Sequence, residues 1–258
     1  MNKKTLFAAT TVSYLLFTAC IGGDEEPMNT MQSPFTIHQT TGGVVLYMDG
    51  GSVVYPTQTS VNDITGNKGF GDVKRAVLQF QYDETMVTDN GNNTATIRNA
   101  VLIGGNGIPT FNALTKEEAR EKNVLEEDSI FGFNDLTKSN IRFSRGFLTI
   151  SYNSTYYSNV NGGYHIPTAN AIIEADPANQ RNIDITLLLN KHTKKGDRAV
   201  GNATIINSFD ITNFAHLFPS SGFDSISCNV HYKLETGMTE EEKTVVKNAA
   251  VKDFFYPW

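Results

Sequence analysis

The clearest structural signal in this chain is NIDITLLLN, residues 182–190. Apolar side chains recur at every second position from Ile183 to Leu189, while most positions between them, such as Asp184, are polar. Alternation with a period of two is the pattern of a β-strand that buries one face. We therefore predict a half-buried antiparallel strand over this segment.

Similar short segments precede and follow this strand. They are residues 141–143, 147–152, 165–174, 202–209 and 225–234. Turn residues separate them, and short strands at such intervals are typical of a β-sandwich or a barrel. The second half of the chain is therefore predicted to be built from strands.

The first half of the chain is also predicted to consist of strands and turns. An apolar run at 44–48 is followed by Asp-Gly-Gly at 49–51, residues that tolerate the positive φ of a hairpin turn. Residues 76–82 alternate apolar and polar side chains, and residues 94–103 form a further strand. Residues 62–72 are rich in Gly, Asn and Asp, so we interpret them as a loop.

Two segments have the capping-box spacing, a Thr followed three residues later by a Glu. Thr115 and Glu118 predict a short helix at the junction between two domains. Thr239 and Glu242 precede apolar residues at helical spacing, which predicts a helix over about 239–254. The aromatic C-terminal tail that follows either packs on the second domain or engages a partner.

Composition narrows the class of protein. The chain has 258 residues, 40% of them hydrophobic, and a net charge of -6. This length allows one or two domains with a buried core. This amino-acid composition excludes a disordered chain, a collagen, a coiled coil and a polytopic membrane protein. The acidic charge also argues against a nucleic-acid partner, which requires a basic surface.

The N-terminal residues 1–19 are predicted to be a signal peptide. Lys3 and Lys4 precede an apolar stretch that is too short to span a membrane. The stretch ends in Phe-Thr-Ala-Cys, which resembles the lipobox of bacterial lipoproteins. That resemblance implies cleavage by signal peptidase II between Ala19 and Cys20 and acylation of Cys20, for example by palmitate. The alternative is an ordinary secretory signal with an incidental Cys.

Residues 20–35 are predicted to be a flexible acidic tether. Cleavage would remove both N-terminal lysines and change the net charge to -8, since 19 basic residues would face 27 acidic ones. The acidic residues 24–26 resemble the surface-export signal of Bacteroidetes lipoproteins, or they are a solvated linker. Acylation of Cys20 leaves Cys228 as the second cysteine, and we expect it to be buried in a strand.

Several motifs occur in an order that resembles a known family. They are Asp49-Gly50-Gly51-Ser52 with Tyr55-Pro56, residues 74–82, residues 111–116, the HTKKGD turn at 192–197, and Ser208-Phe209-Asp210. Together they resemble the NigD-like lipoproteins of Bacteroidetes over most of residues 36–236. The resemblance implies an OB-type (oligonucleotide/oligosaccharide-binding) five-stranded barrel at 36–116 and an antiparallel β-sandwich at 125–237. The predicted helix or tail at 238–258 lies outside it. It implies little about activity.

No motif for a catalytic centre, metal or cofactor is found. The five histidines lack metal-ligand spacing; they are His38, His165, His192, His216 and His231. The glycines at 104–107 match no phosphate-binding motif and are interpreted as a turn. A carboxylate pair of the glycosidase type stays open, because sequence does not show the separation of two such groups.

Aromatic residues supply the candidate binding site. Tyr152, Tyr156, Tyr157 and Tyr164 surround the loop at 153–163. Exposed tyrosines can stack on sugar rings or pack on a protein partner. The alternative is that they cover the edge of the sandwich.

Two Asp-Ser-Ile triplets resemble the O-glycosylation sequon of Bacteroidetes. They place candidate acceptor hydroxyls at Ser129 and Ser225. Ser129 is the better candidate because it lies in the predicted linker.

We therefore predict a non-enzymatic, lipid-anchored protein of the cell envelope, at the outer membrane and facing either the cell surface or the periplasm. It would bind a protein or a carbohydrate. One alternative is a secreted hydrolase that acts on glycans or peptides. The other is a bacteriocin-immunity role, which rests only on the family's name.

Overall fold

The computed structural model describes residues 28–125, 132–159, 161–176, 182–192, 196–218, 225–236 and 239–250. Strands make up most of these residues, which confirms the mostly-β class. The chain divides into two compact units, residues 1–108 and 109–258. Among the described residues, no helix has the length and apolar character needed to cross a membrane.

In the first unit, residues 28–108 form six strands and one α-helix. They are β1 (Asn29–Thr40), β2 (Gly43–Met48), β3 (Val53–Pro56), α1 (Gln58–Thr65), β4 (Arg75–Tyr82), β5 (Val87–Gly91) and β6 (Thr94–Gly107). A short 3-10 turn, Glu84–Met86, precedes β5.

Five of these strands close into a barrel. The order is β3-β2-β1-β4-β6, and β3 pairs in parallel with β6 to complete the circle. Alternate side chains point inwards and form a core that includes Phe35, Leu46 and Phe80. Five strands with a helix between the third and the fourth form an OB-type barrel, as predicted.

Three segments of the first unit differ from the sequence prediction. Strand β1 begins at Asn29, inside the predicted tether, because it pairs with β4 from Asn29 opposite Tyr82 onwards. Helix α1 covers part of the predicted loop; Thr57 caps its start and Gly66, at φ 60°, ends it. The glycines at 104–107 belong to β6 rather than to a turn.

The described residues of the second unit form nine strands and a short α-helix. They are β7 (Thr110–Asn112), α2 (Lys116–Glu121), β8 (Ile141–Ser144), β9 (Phe147–Ser158), β10 (Tyr164–His165), β11 (Thr168–Ala175), β12 (Asn182–Asn190), β13 (Arg198–Asp210), β14 (Ser225–Thr236) and β15 (Thr239–Ala250). Two 3-10 turns, Lys138–Asn140 and Thr212–Leu217, also lie in the described part of this unit. The predicted capping box of α2 is present at Thr115 and Glu118.

These strands form two sheets that share one core. The first has the order β10-β9-β13-β7, with β8 on β9, and the second has the order β11-β12-β14-β15. Buried side chains from both sheets pack together, among them Ile150, Leu187 and Val230. The predicted sandwich is therefore confirmed, although β12–β14 and β7–β13 are parallel pairs and the sheets are mixed rather than purely antiparallel.

The boundary between the units lies earlier than predicted. Strand β7 pairs with β13, with Phe111 opposite Phe209, and Leu114 bridges to Ile172. These contacts join residues 109–116 to the second unit rather than to the barrel. Pairing across about one hundred residues cannot be read from local sequence pattern.

The predicted C-terminal helix is wrong. Residues 239–250 form β15, which pairs with β14 along its whole length, from Thr239 opposite Thr236 to Ala250 opposite Ser225. Only two residues separate the strands, the length of the commonest hairpin loops. Backbone hydrogen bonds to β14 thus outweigh a helical pattern that is only local. Residues 251–258 of the predicted tail lie outside the described part of the chain.

Candidate functional site

The candidate site is the end of the second unit where β9, β10 and β13 meet. The turn between β9 and β10 is built around Asn159. Its side-chain oxygen accepts hydrogen bonds from the backbone N–H groups of Asn161 and Gly163, both at 2.9 Å. Its own backbone N–H donates to the Gly163 carbonyl at 2.8 Å. This turn places Tyr164 opposite Ser158.

Two of the predicted tyrosines form a ring pair here. The rings of Tyr156 and Tyr164 meet edge to face, with centroids 5.9 Å apart. Gly201 lies opposite Tyr156 on β13, and a Cβ at that glycine would come within 3.2 Å of the tyrosine oxygen. The glycine therefore makes room for the Tyr156 ring. The side chain of Tyr164 is 65% exposed.

The remaining tyrosines differ from each other. Tyr157 is half-buried and pairs with His165 on one side and Ala199 on the other. Tyr152 is only 2% exposed, and its hydroxyl donates to Asn207 Oδ1 at 2.7 Å. Burial raises the pKa of Tyr152. Tyr152 is thus a core residue, and the prediction that it belongs to a surface binding site is wrong.

Sequence reasoning missed two exposed aliphatic side chains at this end. Ile166 directly follows β10, and Val200 occupies the bulge in β13 between Ala199 and Gly201. A bulge inserts an extra residue and interrupts the inward-outward alternation. Nothing in the local pattern marks such a position. We call Tyr156, Tyr157, Tyr164, Ile166 and Val200 the aromatic end.

A polar cluster lies beside the aromatic end. His165 Nε2 lies 3.3 Å from Asp197 Oδ2. His192 Nε2 lies 2.6 Å from Thr168 Oγ1, and the backbone N–H of His192 donates to the Asn190 side chain. Burial, and then the proximity of His165, lower the pKa of His192. These contacts join the ends of β10, β11, β12 and β13.

The first and last residues of the HTKKGD motif therefore both belong to this polar cluster. Residues 193–195 between them lie outside the described part of the chain. Within the part that is described, no three His, Cys, Asp or Glu side chains are grouped so that they could hold a metal ion.

The Asp-Gly-Gly motif of the first unit has a structural explanation. Both oxygens of Asp49 accept hydrogen bonds from the guanidinium of Arg75, at 2.6 and 2.8 Å. Arg75 is fully buried and also donates to Thr36 Oγ1. The turn that follows Asp49 therefore places a carboxylate beside a buried cation.

The other predicted site residues either belong to β14 or lie outside the described part of the chain. The Cys228 side chain is buried in β14, as expected. Ser225 is the first residue of the same strand, and its modification stays a prediction. Ala19, Cys20 and Ser129 lie outside the described residues, so cleavage, lipidation and glycosylation there also stay predictions.

The first unit contains a groove of about 610 Å³ between α1, the segment that follows it, and the end of β6. Its lining includes one carboxylate, that of Asp63. The hydrolase alternative requires two carboxylates about 5–10 Å apart. This groove does not supply them.

Comparison with known proteins identifies the fold. No protein-family model matches the chain, and no curated protein sequence does. A candidate lipoprotein from Bacteroides fragilis shares 11% identity over 85% of this chain and 97% of its own, with a TM-score of 0.57. A NigD-like immunity protein from Bacteroides caccae shares 16% identity over 85% and 94%, with a TM-score of 0.48.

An uncharacterised protein from Parabacteroides merdae is similar at 12% identity over 84% of this chain and 98% of its own, with a TM-score of 0.48. The structural neighbours thus include a NigD-like protein. At these identities the likeness concerns the fold. The chain therefore has the fold of the Bacteroides fragilis protein.

Proposed function

We propose that this chain is a lipid-anchored protein of the bacterial cell envelope that binds another protein through its aromatic end. Two observations support the anchor. Cys20 follows Thr-Ala at the end of a short apolar segment, and the Bacteroides fragilis neighbour is named as a candidate lipoprotein. Each buried CH₂ of an acyl chain contributes about 0.8 kcal/mol, so a multiply acylated cysteine holds a protein on a bilayer.

The observation that carries the binding proposal is the Tyr156–Tyr164 ring pair, in which Tyr164 is 65% exposed and Tyr156 is half-buried. Tyrosine is enriched among the residues that dominate binding energy, because it supplies a large apolar surface with few rotatable bonds. The hydroxyl group tolerates solvent in the unbound state. A ring pair that is already formed also loses less side-chain entropy when a partner binds.

The neighbouring aliphatic side chains favour a protein over a glycan. Ile166 and Val200 are both exposed at the same end of the sheet. Exposed apolar side chains that cluster with aromatic ones are typical of protein interaction sites. Sugars offer alternating C–H and hydroxyl groups and gain less from aliphatic neighbours.

A photo-crosslinking experiment in the native envelope tests the binding proposal. A photoreactive phenylalanine replaces Tyr164, and a matched variant carries it at Tyr55, an exposed tyrosine of the first unit. We expect a crosslinked protein from position 164 alone, and its yield should fall at least fivefold when Ile166→Asp is added. Equal crosslinking from both positions, or a glycan as the only ligand of the aromatic end, would refute the proposal.

The anchor has a separate test. Metabolic labelling with an alkyne fatty acid should label the wild-type protein and leave Cys20→Ala blank. Mass spectrometry should place the mature N-terminus at residue 20. A labelled Cys20→Ala protein, or a mature N-terminus elsewhere, would contradict lipidation without affecting the binding proposal.

A further inference from the structure

A second interaction site is indicated in the first unit, at the groove beside β6. The groove is lined by α1, by the segment from Gly69 to Val73, and by β4 and β6. Its volume of about 610 Å³ is within the range of roughly 300–1,000 Å³ found for ligand sites. It is independent of the aromatic end, which belongs to the second unit.

The end of β6 has a strand on one side only. Strand β4 pairs with β6 as far as Gly107. On the other side, the β3 pairing ends at Pro56 opposite Ala100. Among the described residues, no strand pairs with this second side from Val101 to Gly107.

The backbone groups that face this open side can be assigned. The N–H of Ile108 donates to the carbonyl of Arg75 at 2.8 Å, so these two residues form a hydrogen-bonded pair of the antiparallel ladder. Hydrogen-bonded and non-bonded pairs alternate along such a ladder. Asn106 therefore bonds to β4, whereas the N–H and C=O groups of Gly105 and Gly107 point away from β4.

No other described residue bonds to those groups of Gly105 and Gly107. They repeat every two residues, at about 6.8 Å, which is the repeat of an extended chain. Unpaired edges of this kind recruit peptides by strand addition, in which main-chain hydrogen bonds supply affinity.

We propose that the open edge of β6 binds an extended segment of a partner protein, which carries apolar side chains and a Lys or Arg. Phe70, Leu78 and Leu102 line the groove and are largely buried, while Val73 and Ile103 are exposed beside them. Apolar side chains of the added strand pack against these residues. The charged residue that lines the groove is Asp63, and its carboxylate favours a Lys or Arg in the partner's segment.

The glycines leave the edge accessible. Gly105 and Gly107 are exposed to solvent, so a partner can reach their backbone groups. A Cβ at Gly105 would lie 2.5 Å from the carbonyl oxygen of Val77, so the close approach of β4 and β6 requires glycine at that position. From Gly104 to Gly107 the edge extends about 10 Å, enough for four residues of a paired strand.

The test begins with a displayed library of random seven-residue peptides selected on the full chain. We expect enriched peptides that carry a basic residue and apolar residues at alternate positions. Asp63→Lys should weaken a synthetic copy of an enriched peptide at least tenfold. Glu121→Lys, an equal charge change on α2 of the second unit, should leave its affinity unchanged. Alternate backbone amides of the extended peptide face opposite edges and so form two sets. N-methylation of the set that faces β6 should abolish binding.

Amide hydrogen exchange locates the bound peptide. The Gly105 and Gly107 amides should exchange rapidly in the chain alone and at least tenfold more slowly with peptide, while the Ile108 amide should not change. Absence of an enriched peptide, or binding insensitive to Asp63→Lys and to N-methylation, would overturn the proposal. So would protection of both glycine amides before peptide is added, because the edge would then be occupied by the chain itself or by a second copy.

Discussion

The buried ion pair of the barrel gives the sharpest prediction about stability. Asp49→Asn keeps the shape of the side chain and removes its charge. Asp49 and Arg75 are 2% and 0% exposed at their side chains, and two short hydrogen bonds join them. The substitution leaves a buried guanidinium without its counter-charge.

The expected loss of folding stability follows from the burial of this ion pair. Removal of one partner of a buried ion pair costs about 3–5 kcal/mol, because the remaining charge stays desolvated. An exposed pair contributes only about 0–1 kcal/mol, since water screens both charges. Lys116 and Glu174 form such a pair at 3.6 Å, with both side chains about half exposed. Glu174→Gln is therefore the matched control.

A double substitution separates charge from packing. Replacement of a buried ion pair by apolar residues of similar volume is often neutral or stabilising. We expect Asp49→Leu with Arg75→Met to recover most of the stability that Asp49→Asn loses. The bond from Arg75 to Thr36 is also lost in the double variant, so recovery need not be complete.

Native-state hydrogen exchange is the suitable assay, because denaturation of the whole chain can mix the unfolding of the two units. The opening free energy is measured at core amides of the unit that carries the substitution, such as that of Phe80 in the barrel for Asp49→Asn and that of Leu187 in the second unit for Glu174→Gln. A loss below about 1 kcal/mol for Asp49→Asn, or one equal to that of Glu174→Gln, would refute the reasoning from burial.

Three further predictions concern single side chains. Gly105→Ala should destabilise the barrel by about 1–3 kcal/mol, measured by native-state hydrogen exchange at the Phe80 amide, because its Cβ meets backbone, whereas Gly104→Ala should change that stability by less than about 0.5 kcal/mol. Burial lowers the pKa of His192 below its ordinary 6.5, so the unfolded chain binds more protons than the folded chain near that pH. The free energy of unfolding should therefore fall as pH decreases from 6.5 towards the pKa of the folded state. His192→Gln should reduce this pH dependence. Burial raises the pKa of Tyr152, so an alkaline absorbance titration should show it ionising after the exposed tyrosines, and Tyr152→Phe should remove that late component.

The candidate site was only partly predictable. The tyrosines at 156 and 164 were identified because they flank a turn rich in Asn and Gly, and both lie at the aromatic end. Tyr152 belongs to the same strand and the same alternation, but it lies where the second sheet still covers the strand. Where a core ends depends on the opposite sheet, and local pattern carries no information about that position.

Long-range pairs were missed for a similar reason. Asp49 and Arg75 are separated by 26 residues, and each is an ordinary charged residue in its own segment. The open edge of β6 depends on where β3 stops pairing with it. Both features exist only once strands distant in sequence have come together.

Residues 182–190 and 239–250 show where local information ends. The sequence alone determined that 182–190 is a strand and which face it buries, because inward and outward positions follow directly from a two-residue period. Over 239–250 the spacing of apolar residues suits a helix, yet the segment is a strand because β14 offers backbone partners along its whole length. Tertiary structure decided this choice, since hydrogen bonds between strands require a partner whose position the segment itself does not encode.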